Sequence, residues 1–305
     1  SAREEFYKFS GRIHPPVACS PSAMNETGKG REPMTLLLVN PERCTRCGRC
    51  AAVCPMGIVT PPGPDTLPEV KAEAASRCMR CGHCEAFCPE HALTLRARPG
   101  EEDTPPADAG FLPAADLIRH LKSRRSIRRY TNQPVSRDTI LELLDAARYA
   151  ASGTNAQPVQ WLVLHDPARV RTAAALTIDW MQTLVNTPHP LGAYVPALLA
   201  GWKAGYDVIC LQAPHLLVAH IPADNPVAQV DAFIALTHVD LLAPAMGLGT
   251  CWAGFLSAAA GHHPPLQAEL ALPPGRKAAF ALLLGHPLFP VCRLPRRKPL
   301  AVTWR

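Results

Sequence analysis

The chain has 305 residues, 48% hydrophobic and 18% charged, enough to bury a sizeable core in roughly two or three domains. Its formal charge is +6, but the arginines are scattered and not interleaved with the few aromatics, which argues against a nucleic-acid-binding surface. The charge-free stretch Leu241–Gly261 is long enough to cross a bilayer, yet Pro244, Gly247, Gly249 and Gly254 interrupt it and no basic cluster flanks it, so we expect a buried helix followed by a glycine-rich turn and no membrane association.

Residues 1–33 contain no apolar core of a secretory signal, and Met34 opens a strand-like run, MTLLLV. We therefore expect a cytoplasmic protein in which much of 1–33 is a non-native or upstream N-terminal extension. Residues 34–98 form the first domain and contain two half-repeats, CTRCGRCAAVCPMGIV at 44–59 and CMRCGHCEAFCPEHAL at 78–93. Duplication at this scale implies two similar substructures about a pseudo-twofold axis. Thr35–Val39 and Ala92–Arg96 read as short flanking strands.

Each half-repeat carries three cysteines at spacing three, a fourth four residues on, then Pro55 or Pro89. Zinc sites favour paired C-x-x-C motifs, and disulfide scaffolds do not use such blocks. A cubane iron–sulfur cluster needs one soft thiolate per iron, and C-x-x-C-x-x-C wraps three onto one cluster while the fourth ligates the other. The reading is two [4Fe–4S] clusters, one on Cys44, Cys47, Cys50 and Cys88, the other on Cys78, Cys81, Cys84 and Cys54. The domain resembles bacterial two-cluster ferredoxins over its full length, with a longer loop at 56–77. The isolated Cys19, Cys210, Cys251 and Cys292 read as buried apolar residues or free thiols.

Residues 99–113, rich in Pro, Gly and acid, form a linker. In the last domain, 114–305, helices are expected at Ala114–Arg125, at Arg137–Ala151 with Ser136 as N-cap, near Pro167–Leu184 and at Ala228–Met246. Strands are expected at Val159–Leu164, His215–His220 and Ala279–Leu284, the last two central. Without strict strand–helix alternation, the fold class is α+β and not a doubly wound sheet.

Three segments of this domain suit a phosphorylated, flat cofactor. Arg124, Arg125, Ser126 and Arg128 offer guanidinium groups and a hydroxyl to a phosphate, or form an ordinary solvated helix end. Ser152, Asn155 and Gln157 offer amides and a hydroxyl to a ring system, or form a capped turn. Gly247–Phe255, with Cys251, Trp252 and Gly254, would let main chain approach a ring, or packs helices tightly. Arg296, Arg297 and Lys298 make a basic end. In this order the segments R-R-S-I-R, S-G-T-N-A-Q-P, G-L-G-T-C-W-A-G, L-L-L-G-H-P and R-R-K-P-L resemble the nitroreductase family of FMN oxidoreductases across 114–305.

That resemblance implies an α+β sandwich, a mixed sheet flanked by helices, in an intertwined homodimer with FMN at each subunit interface. Arg124, Arg125, Ser126 and Arg128 would contact the phosphate, ribityl chain and pyrimidine. Ser152, Asn155 and Gln157 would reach the partner's flavin. Gly254, with Cys251 and Trp252 nearby, would lie by the flavin N5 edge, and Arg297, or Arg296 or Lys298, would reach the phosphate. Ala253 replaces the acidic residue many members carry. The expected function is an iron–sulfur flavoprotein oxidoreductase that passes electrons from the clusters to FMN and on to a small nitroaromatic, quinone or enone acceptor, fed by a one-electron donor such as ferredoxin or by NAD(P)H. The alternative is an electron-transfer module that reduces a protein partner. No catalytic acid is singled out.

Overall fold

The computed structural model describes residues 36–96 and 112–305. The 1–33 extension, Cys19 and nearly all of the expected linker lie outside the described residues.

The first unit is tied at its ends. Strand β1 (Leu37–Val39) pairs antiparallel with β4 (Leu93–Leu95), Leu38 facing Thr94. A small hairpin of β2 (Val59–Thr60) and β3 (Glu69–Val70) lies between them in sequence. Each half-repeat folds the same way. Gly48 at φ 72° caps the single turn α1 (Arg49–Ala52), and Gly82 at φ 71° caps α2 (His83–Ala86). Arg46 and Arg80 are also left-handed, at φ 56° and 52°. Two left-handed residues in each short loop bend the chain back on itself, so its cysteines face inward. Glycine takes one of these positions without steric cost, and arginine accepts the other.

The second unit has a four-stranded antiparallel sheet in the order β5 (Gln160–Leu164), β6 (His215–Pro222), β8 (Arg276–Gly285), β7 (Gly249–Trp252). Alternating residues of β6 serve opposite faces. Leu216 and Val218 pack with α5 (Pro167–Gln182), α6 (Val195–Lys203), α8 (Gly254–His262) and α9 (Pro264–Leu270). Leu217, Ala219 and Ile221 pack with α4 (Arg137–Ala147) and α7 (Ala228–Leu242). A sheet covered on both sides explains why the central strands read as unbroken apolar runs. Helix α3 (Ala114–Ser123) precedes this sandwich, and Ser136 accepts the Thr139 N–H to cap α4. The fold is α+β, as expected.

Several boundaries differ from the sequence reading: α3 ends at Ser123 and not at Arg125, and α4 ends at Ala147 and not at Ala151. The helix begun at Ala228 ends at Leu242 and continues to Met246 only as a 3-10 turn, because Pro244 has no N–H to give. After the left-handed Gly247, residues 249–252 form edge strand β7 and not a turn. The backbone groups of β8 supply partners that local sequence does not reveal. Among the described residues no helix is long and apolar enough to cross a membrane.

Gly249 lies where another segment crosses: a Cβ there would sit 2.5 Å from Ile127 Cγ1 and 2.8 Å from Ile127 Cβ. Gly249→Ala should therefore lower unfolding stability by about 1–3 kcal/mol. Adding Ile127→Ala should recover part of that loss in urea melts, whereas a merely additive double variant would show that the two do not clash.

Candidate functional site

The eight cysteines of the half-repeats line two separate cavities. One, of about 410 Å³, is lined by Cys54, Cys78, Cys81 and Cys84 with Leu37, Ile58, Val59 and Leu95 among its apolar walls. The other, of about 300 Å³, is lined by Cys44, Cys47, Cys50 and Cys88. Each cavity thus takes three cysteines from one half-repeat and the fourth from the other. None of the eight is in a disulfide. Main-chain N–H groups already point at sulfur: Arg80 N–H donates to Cys78 Sγ at 3.4 Å and Ala92 N–H to Cys88 Sγ at 3.3 Å. Burial, then the neighbouring Glu85 carboxylate, pushes the Cys84 thiol up to about 12, and burial raises Cys50 as well. Among the described residues no three His, Cys, Asp or Glu gather tightly enough to hold a single metal ion. A four-iron cubane is wider than one ion and takes one thiolate per iron, so a cavity ringed by four cysteines fits its donor requirements.

At the far edge of the second unit, the segment 124–131 runs along β7. Ser126 bridges Thr250 in parallel, Ile127 N–H donates to Thr250 O at 2.8 Å, and Thr131 N–H donates to His286 O at 2.9 Å. The structure therefore brings the Arg124–Arg128 segment together with Thr250, Cys251 and Trp252. Asp240 of α7 joins them. Its carboxylate accepts from the Thr250 hydroxyl and from Trp252 Nε1 at 3.0 Å, and lies 3.3 Å from Arg124 Nη1. Asp240 is nearly fully buried, and Arg124 supplies the countercharge that such a carboxylate requires. Sequence reasoning missed it, although an Asp in an otherwise apolar helix is a signal in itself.

Burial, and then the like charges of Arg297 and Arg124, lower the pKa of Arg125, so the three charges lie within electrostatic range of one another. A group of like charges within that range suits an anion. Arg296 receives a hydrogen bond from Arg297 on its carbonyl, and its side chain, like Lys298, is exposed. Gly254 opens α8, and a Cβ there would meet no atom within 4 Å, so space is open beside that helix start. Cys251 is buried with its thiol pushed up by burial, and it packs in the core on the sheet face opposite Thr250 and Trp252.

The segment 152–157 lies at the other edge of the sheet, before β5, and one chain does not bring it to the arginines. Asp231 accepts the Gly153 N–H at 3.0 Å, Ser152 Oγ accepts the Gln157 N–H at 3.0 Å, and Arg276 donates to Pro158 O at 2.6 Å. Thr154, Asn155 and Gln157 are all left-handed, at φ 52°, 55° and 47°. Asn155 donates its amide to Arg80 O at 2.9 Å and Met79 O at 3.3 Å in the first unit.

A family model described as the nitroreductase family matches residues 121–286, more than half of the chain. The chain belongs to the nitroreductase family. A 4Fe-4S dicluster domain model matches residues 43–93, so this nitroreductase carries a ferredoxin-type iron–sulfur domain ahead of its FMN-dependent oxidoreductase domain. Among curated relatives, the FMN reductase [NAD(P)H] of Bacillus subtilis is 28% identical over 192 residues, covering 61% of this chain and 72% of its own. The nitrobenzene nitroreductase of Ectopseudomonas oleovorans is 24% identical over 198 residues, covering 56% and 85%. The NADH dehydrogenase of Thermus thermophilus is 43% identical over 60 residues, only 20% of this chain and 29% of its own. A solved nitroreductase with bound FMN from Bacteroides fragilis aligns over 61% of this chain and 95% of its own, at 20% identity and a TM-score of 0.49.

In this nitroreductase Asp240 is the counter-ion that keeps Arg124 aimed along β7. Asp240→Asn should destabilise the fold by about 3 kcal/mol in chemical denaturation, since it leaves the half-buried Arg124 without its partner charge. A change below about 0.5 kcal/mol would show that the network adds nothing to stability.

Proposed function

We propose that this nitroreductase is an iron–sulfur flavoprotein oxidoreductase in which two [4Fe–4S] clusters feed FMN, and a small organic acceptor of nitroaromatic, quinone or enone type receives the electrons. The observation that carries the reading is the division of the eight cysteines into two crossed quartets around separate cavities, one of them Cys44, Cys47, Cys50 and Cys88. When bound, the clusters would supply one-electron storage, and FMN would supply the change from single electrons to two-electron reduction.

The residues of the chain do the rest. The two cysteine quartets would hold the clusters, and their loop N–H groups would hydrogen-bond to sulfur and so tune the potential. Arg124, Arg125 and Arg297 would clamp the FMN phosphate, with Arg296 or Lys298 as further cations, while Ser126 and Arg128 face the ribityl and pyrimidine groups. Gly254 would give the ring its close approach beside Trp252 and Cys251. The open space at α8 and the grouped guanidinium charges support this placement.

Ser152, Asn155 and Gln157 sit at the opposite sheet edge, so a second copy of the chain would bring Ser152 and Gln157 to the ring, while the Asn155 amide is taken up by Arg80 and Met79. That supports a homodimer with one flavin site at each interface. The C-terminal arm supports it too: Phe289, Leu300 and Trp304 are 66%, 89% and 89% exposed in the single chain, more apolar surface than an isolated arm keeps in water. The names of the relatives that use NAD(P)H support a nicotinamide donor alongside a one-electron donor of ferredoxin type.

Anaerobic reconstitution tests the reading. About eight irons per chain and one FMN are expected, with flavin bleaching by reduced ferredoxin, NADH or NADPH followed optically. In the Cys78→Ser/Cys81→Ser variant the ferredoxin-driven bleaching should disappear. Zinc in place of iron, or unchanged ferredoxin-driven bleaching in that variant, would overturn the proposal. Arg125→Ala should weaken FMN binding by roughly tenfold or more in fluorescence titrations, through loss of a charge-assisted phosphate contact.

A further inference from the structure

The Asn155 side chain bridges the two units. Its Nδ2 donates to the carbonyls of Arg80 and Met79, at 2.9 and 3.3 Å, which uses both of its amide hydrogens. Its Oδ1 accepts from Gln157 Nε2 at 3.3 Å, which fixes which way the amide faces. The backbone beneath it is held just as firmly: Asp231 grips Gly153, Ser152 grips Gln157, and Asn155 itself sits at φ 55°. Left-handed residues persist only where surrounding structure determines them, and Asn is among the few types that adopt this conformation readily.

The receiving loop has two faces. Met79 and Arg80 lie between Cys78 and Cys81, and Met79 lines the larger cavity. The Arg80 N–H points inward to Cys78 Sγ, while the carbonyls of the same stretch point outward to Asn155. One peptide segment therefore connects the sulfur ring of the second quartet to the 152–157 segment of the flavoprotein domain.

We infer that Asn155 is a positioning residue that docks the Cys78–Cys84 loop onto the flavoprotein domain, so that electrons leave the ferredoxin domain through the cluster of Cys54, Cys78, Cys81 and Cys84. This rests on the reading that both cofactors bind as proposed. It places the other quartet, Cys44, Cys47, Cys50 and Cys88, on the donor side of the route. It also gives Asn155 a role toward this chain's own cluster loop, separate from any contact with a partner's flavin. Electron transfer slows steeply with distance, so the docked arrangement sets the rate even though Asn155 handles no electron itself.

The test compares the reconstituted wild type with Asn155→Ala and Asn155→Asp, neither of which can donate to the two carbonyls. Anaerobic hydrogen exchange read by mass spectrometry should show faster exchange across 78–84, with the segment 44–50 unchanged. In the same samples, the ratio of ferredoxin-driven to NADPH-driven flavin bleaching should fall by roughly tenfold, the effect of losing two hydrogen bonds on the docked population. Unchanged exchange across 78–84 would overturn the inference, as would a loss of FMN without a change in that segment. A rise spread evenly over the chain would count against it too, as general destabilisation. A wild type lacking iron or flavin would instead sink the reading beneath it, whereas one that carries both and is indifferent to Asn155 would sink this inference alone.

Discussion

The ferredoxin domain depends on the crossing of its cysteines. Neither half-repeat completes a ring of four alone, because Cys54 follows the first triplet but lines the second cavity, and Cys88 does the reverse. The two halves therefore have to pack before either ring exists. The protein-only core is small, with Leu37, Val59, Ala92 and Leu93 at its centre, and such a core leaves a domain of this size marginally stable. Metal binding and folding are coupled in such cases, since the ring belongs to the folded state alone. The β1–β4 pairing closes the unit at the ends of the chain and leaves the two loops to face their cavities.

The flavoprotein domain is organised differently. Its sheet is covered on both faces, so its stability comes from ordinary apolar packing and its buried polar networks gather at the edges. Both edges carry one. At β7, Asp240 reaches from the helix layer to the segment that carries the arginines, and a buried carboxylate links Arg124, Thr250 and Trp252 in one network. At β5, Asp231 and Arg276 grip the ends of the 152–157 segment in a comparable way. Two buried acids of the same helix, Asp231 and Asp240, thus each fix one edge of the sheet.

Much of this was legible in the chain itself. The cysteine spacing and its duplication are local patterns, so the crossed quartets could be written down before any coordinates. The central strands and longer helices carry clear periodicity, and Ser136 marks its helix start. Edge strand β7 was hidden because its glycines and small residues resemble a turn, and only the backbone of β8 makes it a strand. Helices α6, α8 and α9 were hidden for a related reason: short stretches that carry proline or glycine hold their shape through packing more than through propensity. Asp231 and Asp240 were passed over because a charge on an apolar helix reads as one exposed position until the partners across space are known.

The segment 152–157 shows why one sequence signal can serve two purposes. Three of its residues occupy left-handed conformations that cost of order 1 kcal/mol or more each, and nothing in the core packing of the domain requires them. Such strain persists because Asp231, Ser152 and Arg276 hold the loop from both ends. A loop shaped at this expense presents its amides in fixed directions, and within one chain Asn155 presents its own to the cluster loop while Ser152 and Gln157 complete the turn. The small polar composition that reads as a cofactor loop in the sequence also carries, in this chain, hydrogen bonds from Asn155 to the ferredoxin-type domain. A free ferredoxin must find its flavoprotein by diffusion and surface charge; a tethered one needs only a few directed hydrogen bonds to choose an orientation, and a rigid polar loop at a sheet edge is sufficient to supply them.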